Sequence, residues 1–245
     1  GSLLFAGYYP TTISDNVEYN FNSTKNEMVF NNIRERLVDD DDPSEDIMYF
    51  NMTKKSANSG PVSVVFKHAL SWINFEVKTG NGLTDADPKI AINSITLNEV
   101  PVNGTLTVTN GNYATTGTEC VTGNLGATWS YTNRVNMKLI ESGIVTDTYA
   151  DDLLLTNALE EFGGNGVLVI PSDQTSFTIN YTITQPDGTP NTFNYTYKLA
   201  GNKWEMAKKY VYHITMTLTE ILIEPSVASW GEAIETFPSL DGQGD

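Results

Sequence analysis

The sequence is poor in cysteine, histidine and basic residues. Its single cysteine, Cys120, excludes an internal disulfide and a metal site built from several thiolates. Lys and Arg number 14 against 30 Asp and Glu, so the net charge is −16. This field repels nucleic-acid phosphates and anionic lipid headgroups, and neither is expected as a partner. Long apolar runs are also missing, since no window reaches the roughly 18 apolar residues that predict a membrane helix.

Pairs of a nucleophile and a base are scarce, because the chain has two histidines, His68 and His213. Ser71 follows His68 by three positions in the apolar run VSVVFKHALSWINFEV, residues 62–77. Side chains three apart in a strand point to opposite faces, so these two cannot form a catalytic pair within one regular strand. The G-x-S-x-G turn that presents a catalytic serine is absent. The sequence therefore predicts no catalytic residues and no enzyme.

Acidic residues offer two further candidates, a carboxylate pair and a cation site. Asp151 and Asp152 precede an apolar run and Glu160 and Glu161 precede glycines, so a helix cap and a helix surface are favoured over glycosidase carboxylates. The run Asp39–Asp42 offers oxygens to Ca²⁺ but lacks the spacing of a calcium loop, and it is more typical of a solvated segment. We predict no metal, no cofactor and no role for Cys120.

Abundant Asn, Thr, Ser and Gly, with alternating Tyr, Val and Ile, indicate strands and turns. The clearest unit is FTINYTITQPDGTPNTFNYTYKL, where apolar residues alternate on both sides of a Pro- and Gly-containing turn at Gly188. A second hairpin is predicted at 95–108 with its turn at Asn103 and Gly104. GVLVIP, residues 166–171, predicts a short apolar strand. Residues 209–230 predict one long alternating strand, and 151–164 one short helix.

The apolar run 62–77 changes register within itself. Val64, Phe66 and His68 alternate on one face with Trp72, and after Trp72 the apolar residues move to the other parity. A slip of one residue turns every side chain to the opposite face, so a bulge or bend near Trp72 is expected, and the strand can pass from one sheet to another. His68 points with the apolar set and therefore requires a hydrogen-bond partner.

The best candidate boundary is the small, polar segment TKKSANSGP, residues 53–61. Residues 1–60 are too few for most independent domains, so we expect them to be the remainder of an N-terminal β domain whose start is missing. Residues 61–240 are predicted to form a C-terminal β-sandwich domain, and 241–245 a flexible tail. The predicted fold class is all-β, with antiparallel sandwich architecture.

Four segments in this order resemble the fimbrillin family of Bacteroidetes, which includes type V pilins and associated fimbrial subunits. They are FAGYYP, VVFKHALSWINFEV, GVLVIP and NKWEMAKKYVYHITMTLTEILIEPSVASW. The resemblance implies two transthyretin-like β-sandwich domains, export as a lipoprotein, and a location at the outer membrane and cell surface. It also implies assembly with other fimbrial subunits by donor-strand exchange after an N-terminal strand is removed.

Donor-strand exchange has a physical basis, because a sandwich that lacks a strand exposes backbone groups beside an apolar groove. Arginine-specific cleavage frees this groove in the family, and Arg34 and Arg36 are the early arginines here, although an ordinary solvated charge pair is the simpler interpretation. The expected function is structural and adhesive, as a stalk, anchor, cap or tip subunit, with host proteins or glycans as further partners. The alternative is a carbohydrate-binding surface module.

Overall fold

The structure is a computed structural model. It describes residues 2–21, 26–34, 36–37, 46–56, 60–80, 87–110, 126–140, 143–144, 153–173, 176–199, 203–231 and 233–237. These residues hold nineteen β-strands and one 3-10 helix at Thr11–Asn16, so the all-β prediction is confirmed. The strands are β1 Ser2–Tyr9, β2 Val17–Phe21, β3 Asn26–Ile33, β4 Arg36–Leu37, β5 Met48–Ser56, β6 Val62–His68, β7 Ser71–Thr79, β8 Lys89–Thr109, β9 Gly126–Ile140, β10 Gly143–Ile144, β11 Leu153–Leu154, β12 Glu160–Val169, β13 Ser172–Asp173, β14 Ser176–Thr184, β15 Pro190–Lys198, β16 Lys203–Trp204, β17 Lys208–Met216, β18 Ile221–Ser229 and β19 Ala233–Phe237.

The strands form three main sheets. The first has the order β1-β5-β6-β19, and the second has the order β10-β9-β8-β14-β15, with β2-β3 and β11 also joined through β8. The third has the order β18-β17-β7-β12-β4, and β13 and β16 form a small separate pair. Among the described residues, neighbouring strands pair antiparallel, with the one exception of β7 and β17, which are parallel.

A first hydrophobic core fills the space between the second and third sheets. Phe177 of β14 lies 5.1 Å from Phe75 of β7 and 5.0 Å from Tyr212 of β17, measured between ring centroids, so aromatic contacts join the two sheets. Trp204 is 1% exposed in this core and donates its indole N–H to the Tyr212 hydroxyl at 3.0 Å. These contacts make the sandwich that the sequence predicts.

A second core lies beside the first and shares strands with it. Val167 and Val169 of β12 enter the first core, whereas Leu168 and Ile170 enter the second. Because side chains alternate along a strand, β12 is buried on both faces. The second core collects residues from the first 170 positions of the chain: Ile13, Met28, Phe30, Ile33, Ile47, Tyr49, Ala69, Leu70, Leu106, Val108, Leu168 and Ile170.

The proposed boundary near residue 60 falls in the connection between β5 and β6. β5 continues to Ser56, so the polar segment 53–61 is in part a strand rather than a linker. Strand β3, from the first 60 residues, pairs with the second half of β8. The division into 1–60 and 61–240 stays a prediction, with sheet pairing running across it.

The predicted hairpin at 177–199 is confirmed. β14 and β15 pair through nine successive residues, from Ser176 opposite Lys198 to Thr184 opposite Pro190. The connecting turn has Gly188 at a φ of 85°, a region that glycine adopts without steric cost. This segment folds as its own alternation and turn residues indicate.

The predicted helix at 151–164 is wrong. Leu153 and Leu154 form β11, which pairs with β8, and Glu160 and Glu161 begin β12 rather than lie on a helix surface. Asp151 and Asp152 lie outside the described residues. The glycines that suggested a helix end instead produce a register shift between Phe162 and Val167, so partners in the sheet outweigh the local pattern.

The predicted turn at Asn103 and Gly104 is also wrong, because β8 runs unbroken through both residues. A Cβ atom at Gly104 would stand 2.9 Å from the Ile170 side chain and 3.1 Å from the Ser130 carbonyl oxygen. Glycine is needed there for close packing of strands rather than for a turn.

The single long strand predicted for 209–230 is a hairpin. β17 ends at Met216, and the Thr217 hydroxyl accepts the backbone N–H of Glu220 at 2.9 Å before β18 begins. Leu218 therefore lies in the turn with 38% of its surface exposed, instead of joining the buried face with Tyr210 and Tyr212. A Thr side chain that bonds two or three residues ahead makes a turn without glycine or proline.

Candidate functional site

The apolar run 62–77 breaks where two sheets meet. β6 ends at His68 in the first sheet, and β7 begins at Ser71 in the third, as the predicted change of sheet requires. The bend lies at Ala69 and Leu70, just before the predicted position at Trp72. Both bend residues are fully buried, and Ala69 donates its backbone N–H to the Ile47 carbonyl at 2.8 Å.

His68 has a specific partner at this bend. Its Nδ1 lies 2.5 Å from Oδ2 of Asp46, and the histidine is 9% exposed. Its ring also stacks on Trp230, with centroids 3.9 Å apart and planes 8° from parallel. Ser71 bonds elsewhere, since its hydroxyl donates to the Glu205 carbonyl at 2.8 Å. His68 and Ser71 therefore serve different contacts, and the structure does not bring them together as a nucleophile and base.

A small aromatic and cationic cluster extends from His68, and we call His68, Trp230, Trp72 and Lys209 the Trp230 stack. Trp72 lies 5.3 Å from Trp230 between ring centroids, and Lys209 Nζ lies 3.7 Å from the Trp72 ring centroid. An ammonium group over an indole face contributes about 0.5–2 kcal/mol. Trp72 is fixed from the other side, because its indole N–H donates to the Asn165 carbonyl at 2.7 Å.

Within the Trp230 stack, Trp230 itself lies just before β19, the last described strand. The backbone N–H of Trp230 donates to the Ala207 carbonyl at 2.8 Å, after which the chain enters β19. β19 pairs antiparallel with β6, from Ala233 opposite Phe66 to Phe237 opposite Val62. Among the described strands β6 is its ladder partner, so β19 lies at the edge of the first sheet.

β6 depends on β19 for most of its backbone pairing. β5 pairs with β6 at two positions, Met48 opposite His68 and Tyr49 opposite Lys67, whereas β19 pairs with it at five. An edge-to-face contact between the rings of Phe50 and the β6 residue Phe66, at 5.1 Å, bridges β5 and β6 beyond the last paired residues. The C-terminal strand therefore completes a sheet whose other strands diverge.

The early strand β3 packs into the second core and, unlike β19, has a neighbour on each side. β3 has β2 on one side and β8 on the other, and it buries Met28, Phe30 and Ile33 to 1% exposure or less. Arg34 follows at once and is exposed, and Arg36 begins β4, which pairs with β12. The two early arginines thus stand at the end of a deeply packed strand.

The remaining candidate side chains make ordinary structural contacts. His213 lies opposite Glu76 on the parallel strands, with Nδ1 2.8 Å from Oε2, and both side chains are partly exposed. Glu160 accepts the Thr156 hydroxyl at 2.7 Å. Within the described residues no group of three or more His, Cys, Asp or Glu is placed to hold a metal ion.

Two other candidates, Cys120 and the run Asp39–Asp42, lie outside the described residues. In the part of the chain that the structure describes, no helix is long and apolar enough to cross a membrane. Sequence reasoning missed Asp46 and Trp230 as the partners of His68. The only available signal was the requirement that a buried imidazole have a hydrogen-bond partner.

The stacked sheets, with β1 and β19 at the two edges of the first, define a β-sandwich protein. The fimbrillin-like family model matches residues 1–230, and the chain belongs to that family. It is thereby a member of a group of fimbrial cell-surface proteins. No curated protein matches the chain.

Solved structures similar to this chain come from Bacteroides. One is a fimbrial protein from Bacteroides vulgatus, with 14% identity, 92% of this chain and 77% of that chain covered, and a TM-score of 0.49. Another, assigned to cell adhesion, is from Bacteroides uniformis, with 19% identity, 93% and 73% covered, and a TM-score of 0.45. A third, with the same assignment, is from Bacteroides ovatus, with 13% identity, 84% and 69% covered, and a TM-score of 0.39.

Proposed function

We propose that the protein is a non-enzymatic fimbrial subunit, or a fimbria-associated accessory protein, that assembles with other subunits by β-strand exchange. Its precursor carries a lipid anchor to the outer membrane, and its mature form lies on the cell surface. The observation that carries the proposal is the placement of β3, a packed strand followed directly by the exposed Arg34.

β3 is the candidate strand to be replaced. Cleavage after Arg34 would leave β1, β2 and β3 held by non-covalent contacts alone. Their departure would expose the β8 edge at residues 104–109 and the apolar space that Met28, Phe30 and Ile33 occupy. Burying three such side chains contributes roughly 5–9 kcal/mol. An emptied slot therefore strongly favours an incoming strand with apolar residues at alternate positions.

β19 is the candidate donor. It follows the Trp230 stack at the C-terminal end of the described chain and lies at a sheet edge with five paired residues. A strand held by one neighbour can leave at the cost of that single ladder, whereas a central strand would have to break two.

The cleavage step is tested by treating the full chain with a trypsin-like protease. We expect a cut after Arg34 and oligomers that survive SDS, because exchanged strands are held by a complete ladder and a buried face. Arg34→Gln should prevent both, because Arg36 is held in the paired strand β4 and is a poor protease site there. Arg36→Gln serves as the matched control that remains competent. Cleaved protein that never forms SDS-resistant oligomers would contradict polymerisation by strand exchange.

The donor assignment has its own test, a chain that ends at Gly231. After cleavage this truncated chain should accept a strand but not donate one. Mixed with cleaved full-length chain, it should terminate assemblies and shorten them in proportion to its share. If the truncated chain alone polymerises as well as the full chain, β19 is not the donor.

Carbohydrate binding is the second candidate function, and exposed aromatic side chains on β15 favour it. Phe193 is 44% exposed and Tyr195 37% exposed on the same face of the strand. Aromatic faces of this kind stack on apolar faces of sugar rings. A glycan array distinguishes the two functions, since retention that is lost in a Phe193→Ala, Tyr195→Ala double variant would favour the lectin function.

A further inference from the structure

The β14–β15 hairpin ends the second sheet with an exposed edge. Among the described strands β15 pairs with β14, and eight of its nine residues are exposed. Free N–H and C=O groups along such an edge are a template for another strand. An exposed edge therefore needs either protection or a partner.

The edge on the opposite sheet is protected, and β15 is not. β18 carries Glu224 and Pro225 at its middle, which place a charge on the edge and remove a backbone donor. β15 has its single proline at its first residue, Pro190, outside the strand centre. Residues 188–199 contain no Asp or Glu in a chain of net charge −16, so two copies can approach here without acidic repulsion.

The side chains of β15 complement themselves. Residues 192–196 read TFNYT, which is nearly the same in both directions. In an antiparallel pair centred on Asn194, Thr192 would face Thr196 of a second copy and Phe193 would face Tyr195. Each residue would thus face a side chain of the same kind in the second copy. The aromatic residues of both copies would lie on one face of the joined sheet, and the Thr and Asn residues on the other.

The hairpin already contains this pairing within one chain, because residues 178–182 of β14 read TINYT. Three pairs of polar side chains are hydrogen-bonded across the hairpin: Thr178 with Thr196 at 3.0 Å, Asn180 with Asn194 at 2.8 Å, and Thr182 with Thr192 at 3.0 Å. On the other face Tyr181 stacks on Phe193 with centroids 5.5 Å apart. A second β15 differs from β14 over these five residues by Phe in place of Ile.

We propose that β15 is a self-association edge, through which two copies of this chain pair their β14–β15 hairpins antiparallel about Asn194 into one continuous sheet. This contact is separate from strand exchange, since it uses neither β3 nor β19. The interface between the two copies consists of one pair of strands, so the dimer is weak in solution. It is strengthened when many copies are displayed together.

The register is tested with full-length variants at Asn194, which faces itself across the two-fold axis. Sedimentation equilibrium of the wild type up to about 1 mM should show a reversible dimer, the range expected for a small interface. Asn194→Lys and Asn194→Glu each place like charges opposite one another and should weaken the dimer about three- to tenfold. An equal mixture of the two should restore the affinity, because Lys then faces Glu.

Val227→Lys on the β18 edge, where Val227 is 58% exposed, is the matched control and should dimerise as the wild type does. A wild type that stays monomeric throughout, or single variants that dimerise unchanged, would overturn the proposal. A mixture that stays monomeric would overturn the register about Asn194. Binding of an oligosaccharide to Phe193 and Tyr195 that excludes the dimer would assign the edge to a different occupant.

Discussion

Removing one hydroxyl at the centre of the first core provides a sharp test of how the sandwich is held together. Tyr212 is 1% exposed, and its ring stacks on Phe75 at 5.4 Å. Its hydroxyl accepts the indole N–H of Trp204, which is itself 1% exposed. Tyr212→Phe keeps the ring and removes this acceptor.

At neutral pH, Tyr212→Phe loses folding stability because the indole N–H of Trp204 no longer has an acceptor. A buried N–H without a partner costs about 1–3 kcal/mol, because it was hydrogen-bonded to water in the unfolded chain. For a domain of this size, about 2 kcal/mol corresponds to a fall in Tm of about 4–8 °C. Tyr195→Phe, at an exposed edge position, is the control and should change stability by less than about 0.5 kcal/mol.

The loss of folding stability at high pH provides a second quantity to measure. Burial raises the pKa of Tyr212 from 10.0 to about 12, against a smaller lowering by the Trp204 hydrogen bond. The folded state therefore holds the phenolic proton more tightly than the unfolded state does. The stability from this group is fully present below pH 10 and is lost as the pH rises from 10 to about 12. The loss amounts to about 2–3 kcal/mol in the wild type and does not occur in the phenylalanine variant.

Urea unfolding followed by tryptophan fluorescence, repeated at several pH values from 7 to 12, measures both effects. The wild type should be more stable at neutral pH, and the difference should shrink or reverse above pH 10. A variant as stable as the wild type at pH 7 would show that the Trp204 contact is energetically irrelevant. A constant difference from pH 7 to 12 would refute the burial argument for Tyr212.

Two further substitutions test the close packing and the placement of β19. Gly166→Ala should cost about 2–4 kcal/mol in urea unfolding, because φ is +96° and a Cβ atom would stand 2.4 Å from the Ile73 carbonyl oxygen. Gly164→Ala, also at positive φ but with open space around it, should cost about 1–2 kcal/mol, and equal costs would contradict the packing argument. Trp230→Ala removes the stack on His68 and should speed amide hydrogen exchange in β6 and β19, whereas Trp230→Phe should largely preserve protection. Unchanged exchange in the alanine variant would mean that the stack does not hold β19.

Features determined by local sequence could be predicted. The β14–β15 hairpin follows from alternation on both sides of a turn whose Gly188 adopts positive φ, so nothing distant is needed. The alternating burial of Tyr210 and Tyr212 in β17 likewise follows from period-two spacing, because one face of the strand lies against the core.

Features determined by distant partners could not be predicted. Leu153 and Leu154 suit a helix as well as a strand, and their pairing with β8 decides between the two. Gly104 looks like a turn residue in the sequence, but the requirement for glycine there comes from neighbouring strands that approach closely. His68 needed a partner, yet its two contacts, with Asp46 and Trp230, arise from separate segments that only the folded sheets bring together.

The parallel pairing of β7 and β17 also bears on when the protein can fold. β17 lies second from the edge of the third sheet, between β7 and β18, and Trp72 of β7 pairs with Lys209 of β17. Contacts between residues so far apart in the chain form late, because a long loop must close first. The first core therefore cannot close until synthesis has passed residue 216. Until then, β7 has no β17 beside it, and the first core lacks the Tyr210 and Tyr212 side chains that complete it.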